Sequence, residues 1–364
     1  MIFRLDGKAN EYLKAALEKS HESEYADAIF NAYLYSDVPM LGKENEGGPM
    51  DWLKQAIGEE NIPLLDSLSE KGYFNHIRLL KEGDYSSNPY YQLLKKVKPT
   101  HSKVSFLMDS YLPKQLFLSD ERLLFPNDHF ADAPVIGYFA EGFSFPALIE
   151  DGKTWMSLIP HEISTMDKAI NKAHGKVITY GLGLGYYAFM ASEKKEVEEV
   201  SIVEFDPKII SYFRANLLPL FPHREKIKIV EGDALSFAQK MKAGTYDFLF
   251  ADLWHNEEDG LKLYLPLKRF EGAARKSHYW IETSILVYLR RHLLELMDEE
   301  SSPEYDPSIY VDKRGESYGD ALINALHRHY ENKIVREEGD IRELLSDSSL
   351  KSLAAELRLP EWIR

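Results

Sequence analysis

The sequence predicts an α/β protein whose central part is a Rossmann-like parallel sheet. Hydrophobic segments alternate with helical segments over residues 176–285, and strands separated by helices form parallel sheets. Four of these hydrophobic segments end in glycines or in an acid: KVITYGLGLG, SIVEFD, KIKIVEGDA and YDFLFADLW. Ligands bind at the carboxyl ends of such strands. The pattern therefore indicates a site for a nucleoside-like cofactor.

The rest of the chain divides around this domain. Residues 1–134 are predicted to form a mostly helical N-terminal domain that serves as a substrate lid or as a homo-oligomer surface. Residues 135–174 are predicted to form a β-hairpin and a lead-in helix, because Asp151-Gly152 between apolar flanks is typical of a tight hairpin turn. The cofactor domain then occupies 175–300, and a helical extension occupies 301–364.

Composition excludes several classes of function. The net charge of −15 repels phosphate backbones, so we expect no nucleic-acid partner. The absence of cysteine excludes disulfides, thiolate metal sites and cysteine nucleophiles. No apolar stretch approaches the ~20 residues that a membrane span needs, and the N-terminus is too charged for a secretory signal. The sequence thus predicts a cytoplasmic protein with no membrane association.

The glycine-rich turn distinguishes between cofactors. Gly181, Gly183 and Gly185 form G-x-G-x-G, whereas a dinucleotide site also requires a glycine where this chain has Tyr186. The pattern argues against NAD or FAD. It suits an amino-acid carboxylate and a sulfonium lying across the turn, because glycine lets the backbone approach a ligand closely. The alternative interpretation is a plain tight turn between a strand and a helix.

Acidic residues at the next strand ends support a cofactor site. Glu204 ends the second strand and can accept hydrogen bonds from both ribose hydroxyls. Asp233 ends the third and can bind the adenine amine, with the backbone of Ala234 against the ring. The alternative for such acids is helix capping. Capping is the preferred interpretation for Asp206, which precedes Pro207.

Residues 175–285 resemble the class I S-adenosylmethionine-dependent methyltransferases. The matching pieces are ITYGLGLG, VEFDP, EGDAL and YDFLFADLW, in the order of that family. The resemblance implies S-adenosylmethionine as the cofactor and methyl transfer as the activity. Thr179 departs from the pattern, because many members carry an acid two residues before the first glycine.

The nearest branch by sequence is that of the spermidine synthases. EFDPKII and PHEISTM are similar to segments of that branch, which implies that His161 and Glu162 contact the cofactor. The branch carries two carboxylates after its fourth strand, whereas this chain continues from Asp252 as Leu-Trp-His-Asn. We therefore predict a methyltransferase with a small-molecule or protein substrate. The alternatives are an aminopropyltransferase that uses decarboxylated S-adenosylmethionine, and a cofactor-binding module without catalysis.

The loop after the fourth strand supplies the candidate catalytic groups. Asp252 stands where a group would face the transferred methyl, and His255 is the side chain of that loop that titrates near neutrality. Trp254 can form an aromatic wall for a cation. The alternatives are that Asp252 caps the helix beginning near Glu257 and that Trp254 belongs to the core.

Other motifs carry no chemistry by sequence. Asn88-Pro89-Tyr90-Tyr91 resembles an N-P-P-Y loop but is not preceded by a buried strand, so we interpret it as a turn. His161-Glu162 lacks the second histidine of a zincin, since Thr165 stands there. His327 and His329 lie two apart and face different sides of a helix. No metal site is predicted.

Overall fold

The N-terminal part of the chain is helical up to residue 94. The computed structural model describes residues 1–98, 104–126, 128–150, 153–306 and 317–359. The long first helix is capped by Asp6, whose carboxylate accepts a hydrogen bond from the amide of Ala9 at 2.7 Å. The elements in order are β1 (Ile2–Phe3), α1 (Gly7–Leu34), α2 (Pro49–Ala56), α3 (Ile62–Glu70), β2 (Arg78–Leu79), α4 (Glu82–Ser86) and α5 (Pro89–Leu94).

Antiparallel strands follow, and they begin earlier than the sequence indicated. They are β3 (Val104–Tyr111), β4 (Phe117–Leu124), β5 (Asp132–Tyr138), β6 (Phe143–Glu150) and β7 (Lys153–Ser157). β3 pairs with β6 along its whole length, and β4 pairs with β5. The region before residue 134 is therefore helical only in its first part. Pairing with a segment distant in sequence fixes β3 as a strand, and local propensity does not reveal such pairing.

The strands of the predicted hairpin are confirmed. β6 and β7 pair antiparallel, and Glu150 lies opposite Lys153. Asp151 and Gly152, which were predicted to form the turn, lie outside the described residues. Helix α6 (Pro160–Lys172) then leads into the first parallel strand, as predicted.

The central sheet is parallel throughout, which confirms the predicted Rossmann-like fold. Its strands lie in the order β10, β9, β8, β11, β12, so the chain starts in the middle of the sheet and crosses over once. The elements are β8 (Gly175–Tyr180), α7 (Tyr186–Ser192), β9 (Val197–Glu204), α8 (Pro207–Tyr212), β10 (Ile227–Glu231), α9 (Ala234–Lys240), β11 (Tyr246–Ala251), α10 (Glu257–Lys268) and β12 (Ala274–Tyr279).

The register of the sheet brings the strand ends level. Tyr180 lies opposite both Val203 and Ala251, and Glu204 lies opposite Glu231. The segments that follow these strands therefore meet at one edge. Successive strands are added on one side of β8 as far as β10 and then on its other side from β11. Ligands bind at such a switch point in open α/β sheets.

Helices complete the fold and join it to the N-terminal part. They are α11 (Glu282–Ser301), α12 (Tyr318–Tyr330), α13 (Glu338–Leu345) and α14 (Asp347–Glu356), with β13 (Ile334–Val335) paired to β1. Phe145 of β6 and Ile163 of α6 share one apolar cluster with Val177 of β8. The hairpin and the lead-in helix thus pack on the parallel domain. Among the described residues, no helix has the length and apolarity needed to cross a membrane.

Candidate functional site

The turn after β8 presents backbone to the edge of the sheet. Gly181, Gly183 and Gly185 have φ values of 93°, 57° and 83°, which other residues rarely adopt. A Cβ at Gly181 would overlap the carbonyl oxygen of Asp252, so only glycine allows the two strand ends to pack. A Cβ at Gly183 would project beside the sulfur of Met156, 3.5 Å away. The backbone at Gly183 is therefore open to a ligand.

A cavity of about 340 Å³ lies over this turn. One wall consists of the glycine turn and the first residues of α7. The opposite wall comes from β7 and α6, through Met156, Glu162 and Met166, and the floor comes from the ends of β11 and β12. Its lining includes Glu204 and Asp252 and, among the described residues, no lysine or arginine. Apart from His255 at its mouth, the groups of this lining that can carry charge near neutrality are therefore acids.

Glu204 is held in place by the backbone. Its Oε2 accepts a hydrogen bond from the amide of Leu182 at 3.0 Å, and its Oε1 accepts one from the amide of Asp206 at 2.8 Å. These bonds fix the carboxylate between the glycine turn and the start of α8. Each oxygen retains a second lone pair, so the fixed carboxylate can still accept bonds from a sugar diol.

A smaller cleft of about 150 Å³ adjoins the cavity and shares Glu204 and Leu253 with it. Asp233 and Ala234, the residues predicted to bind adenine, line this cleft together with Phe205. Asp233 also caps α9, because its Oδ1 accepts a hydrogen bond from the amide of Ser236 at 2.7 Å. Phe205 is 75% exposed, and a flat aromatic ring at this place can pack on a base.

Two carboxyl groups face the same cavity. Burial raises the pKa of Asp252 to about 7. The pKa of Glu162 is raised well above its usual range, first by burial and then by the charge of Asp252. Among the described residues, neither carboxyl has a hydrogen-bond or ion-pair partner. Two acids that interact in this way titrate as a pair, and a cation between them would relieve their repulsion.

The structure rules out one of the two interpretations of Asp252. Helix α10 is capped by Asn256, whose Oδ1 accepts a hydrogen bond from the amide of Asp259 at 2.9 Å. Asp252 is therefore not the cap of that helix. Its backbone amide extends the pairing with Tyr180 at 2.9 Å, and its side chain faces the cavity.

Two tryptophans form the aromatic part of the lining. The indole N–H of Trp254 donates to the carbonyl of Trp280 at 3.2 Å, and that of Trp280 donates to the hydroxyl of Thr165 at 2.8 Å. Both side chains are buried, and both line the cavity. Trp254 thus belongs to the core and to the cavity wall at once.

The two histidines predicted for the site lie in different places. His161 does not line the cavity; its ring lies edge-on to Trp280, with centroids 5.8 Å apart, and burial lowers its pKa to about 4. The neighbouring Glu162 faces the cavity instead. His255 lies at the mouth, and its exposed ring approaches Asp259 at 3.5 Å. Asp252 is therefore better placed than His255 for chemistry inside the cavity.

Sequence reasoning left Trp280 and Tyr187 out of the site. Trp280 follows β12 directly, so its place after the fifth strand was a usable signal. Tyr187 lines the cavity from the first turn of α7, and its buried hydroxyl has no partner among the described residues. Glu162 and Met166 both face the cavity because residues one helical turn apart share a face.

The acid pair predicts an unusual pH dependence of stability. A carboxyl whose pKa is raised in the folded protein binds protons more tightly there, so stability falls as pH rises from about 4 through 7. Asp252→Asn removes this penalty. We expect the free energy of unfolding of the variant, relative to wild type, to be greater at pH 8 than at pH 5 in urea titrations. Glu231→Gln, at an exposed position on the same edge, is the control. If the free energies of unfolding of Asp252→Asn and wild type changed equally with pH, the raised pKa of Asp252 would be contradicted.

Comparison with known proteins finds no matching family model and no matching curated protein. Solved structures show partial similarity. A spermidine synthase from Thermotoga maritima is 20% identical over 36% of this chain and 45% of its own, with a TM-score of 0.27. A putative O-methyltransferase from Klebsiella pneumoniae is 16% identical over 26% and 43%, with a TM-score of 0.22. MNMC2 from Aquifex aeolicus is 18% identical over 41% and 60%, with a TM-score of 0.29.

This chain spans less than two thirds of the length of each of these proteins. The fold assignment therefore depends on the strand order and the glycine turn, which are complete in the structure. By that order and that turn, residues 175–285 have a Rossmann-like fold.

Proposed function

We propose that the protein transfers a methyl group from S-adenosylmethionine to a small amine. The acid pair of Asp252 and Glu162 supports this proposal, because both line a cavity beside the glycine turn and neither carboxyl has a hydrogen-bond or ion-pair partner in the described part of the chain. A protonated amine carries a positive charge that two carboxyls can balance and a proton that one of them can accept. The cavity of about 340 Å³ suits a small acceptor.

The residues present fit the cofactor. Glu204 would hold the ribose, and Asp233 with Ala234 would hold the adenine in the adjoining cleft. The open backbone at Gly183 would lie under the amino-acid end. When bound, S-adenosylmethionine supplies a methyl group that is activated by a sulfonium.

The chain's own residues would prepare the acceptor. Asp252 takes a proton from the amine nitrogen, which exposes the lone pair of that nitrogen. Glu162 stabilises the positive charge that the amine carries. A positioned base contributes about 10²- to 10⁴-fold to such a reaction. Trp254 and Trp280 exclude water and present aromatic faces to a cation. Because Asp252 must be ionised to act, the rate is expected to rise as pH increases through about 7.

Turnover with a panel of small amines tests this assignment. We expect S-adenosylhomocysteine to form in the presence of a suitable amine. Asp252→Asn should lower the rate by about a hundredfold or more, with the affinity for S-adenosylhomocysteine unchanged. Glu258→Gln removes an exposed carboxyl at the start of α10 and should leave the rate unchanged. Full turnover in Asp252→Asn would refute the role of this residue.

Aminopropyl transfer from decarboxylated S-adenosylmethionine is a second candidate. Among the described residues, the cavity lining has three acids and no lysine or arginine that could pair with a methionyl carboxylate, which favours a cofactor without that carboxylate. Calorimetry with both cofactor forms, and product analysis with putrescine, separates the candidates. Tight binding of either form without turnover of any amine would instead support a non-catalytic module.

A further inference from the structure

The segment Asn88–Tyr91, interpreted from sequence as a turn, contacts the glycine turn on one side and strand β6 on the other. Asn88 caps α5, because its Oδ1 accepts hydrogen bonds from the amides of Tyr90 at 2.9 Å and Tyr91 at 3.3 Å. Pro89 occupies the first helical position, where its fixed φ favours the helix. Successive residues on a helix point about 100° apart. The capped start of α5 therefore directs the two tyrosines to different surroundings.

Tyr90 faces the cofactor wall. Its side chain is fully buried, and its hydroxyl donates a hydrogen bond to the carbonyl oxygen of Leu184 in the glycine turn. A Cβ at Gly185 would stand 3.2 Å from that hydroxyl, so the tyrosine fills the space beside the turn. The side-chain amide of Asn88 donates to the hydroxyl of Tyr186 at 3.1 Å. Leu184 and Tyr186 both line the cavity.

Tyr91 faces β6, the strand that pairs with β7 of the opposite wall. Its hydroxyl donates to the carbonyl oxygen of Ser144 at 2.6 Å, and its ring stacks on Phe143 with centroids 5.7 Å apart. Ser144 lies at the start of β6. Further along, β6 pairs with β7 through Leu148 and Met156, and Met156 lines the cavity.

We propose that Asn88–Tyr91 is a brace that fixes the glycine turn and the hairpin relative to each other. Asn88 and Tyr90 are positioning residues for the cofactor wall, which is formed by the glycine turn and the start of α7. Tyr91 is a positioning residue for the acceptor wall, which is formed by β7 and α6. This division of roles rests on the proposed function, whereas the brace itself rests on the contacts. Each hydroxyl makes one hydrogen bond to a backbone carbonyl, so each role can be removed by a single change to phenylalanine.

Hydrogen exchange of the ligand-free protein tests the brace without reference to function. Tyr90→Phe should speed amide exchange in a peptide covering 181–190 and leave 143–150 unchanged. Tyr91→Phe should do the reverse. Tyr33→Phe removes another buried hydroxyl, which accepts a hydrogen bond from the amide of Leu116 at 3.0 Å, outside both peptides, and should change the exchange of neither.

Calorimetry with S-adenosylhomocysteine then tests the roles. Tyr90→Phe should bind it about three- to tenfold more weakly, the effect of losing one buried hydrogen bond, and Tyr91→Phe should bind it as wild type does. Unchanged exchange at 181–190 in Tyr90→Phe, or equal changes at both peptides in both variants, would overturn the brace. Failure of wild type to bind S-adenosylhomocysteine would contradict the proposed function, and the exchange results would still decide on the brace.

Discussion

Replacing Glu204 by alanine is expected to weaken binding of S-adenosylhomocysteine by about 2–4 kcal/mol, roughly 30- to 1000-fold. The carboxylate is fixed by the amides of Leu182 and Asp206 at 3.0 and 2.8 Å. A ribose that binds there donates two charge-assisted hydrogen bonds to an acceptor that is already oriented. Isothermal titration calorimetry measures the change directly.

Two further variants separate binding from folding in this experiment. Glu231→Ala removes a carboxyl that lies opposite Glu204 on the neighbouring strand and is exposed, so binding should stay as in wild type. Glu204→Gln keeps an oxygen acceptor but loses the charge, and its affinity should fall between those of wild type and Glu204→Ala. Unchanged affinity in Glu204→Ala would remove the basis for a ribose site at this strand end.

Replacing Arg122 by methionine is expected to lower the free energy of unfolding by about 3–5 kcal/mol. The guanidinium donates to Asp132 at 2.6 Å and to Asp27 at 2.8 Å, and the carboxyl of Asp132 is almost completely buried. Arg291 of α11 binds the same two carboxylates. Removing Arg122 leaves two carboxylates with one cation, and urea unfolding reports the cost.

An exposed ion pair of the same three-stranded sheet provides the comparison. Arg78 approaches Asp120 at 3.5 Å, and their side chains are 53% and 39% exposed. Arg78→Met should therefore cost less than about 1 kcal/mol. Adding Asp132→Asn to Arg122→Met should restore part of the lost stability, because it removes the uncompensated charge. Equal small losses in Arg78→Met and Arg122→Met would show that the network between α1, β4, β5 and α11 adds nothing.

Several features of the site could be predicted because neighbouring residues encode them. Glycines at alternate positions after an apolar run define the turn. Glu204 and Asp233 could be predicted because they stand at the ends of hydrophobic strands. The capping role of Asp206 is confirmed in the same way, with its Oδ1 accepting the amide of Lys208 at 2.7 Å. Asp233 caps α9 and also lines the cleft, so the cap is confirmed and adenine binding stays a prediction.

Other features depend on contacts between distant segments. The resemblance pointed to both His161 and Glu162, yet in the structure the histidine lies edge-on to Trp280 and only the glutamate lines the cavity. The strand β3 exists because β6 pairs with it. Asn88–Tyr91 has the local pattern of a turn and helix start, and nothing near it in sequence reveals the two walls that it contacts.

The amino-acid sequence by itself determined the parallel sheet, the glycine turn and the carboxylate after the second strand. These follow from hydrophobic periodicity and from the conformational freedom of glycine, which act within a few residues. Only the tertiary structure decided that Asp252 and Glu162 line one cavity, where the charge of one affects the other. It alone also decided that Tyr90 and Tyr91 contact the segments that form or support the walls of this cavity. Burial and desolvation depend on which segments pack together, and packing between distant segments is a property of the folded chain.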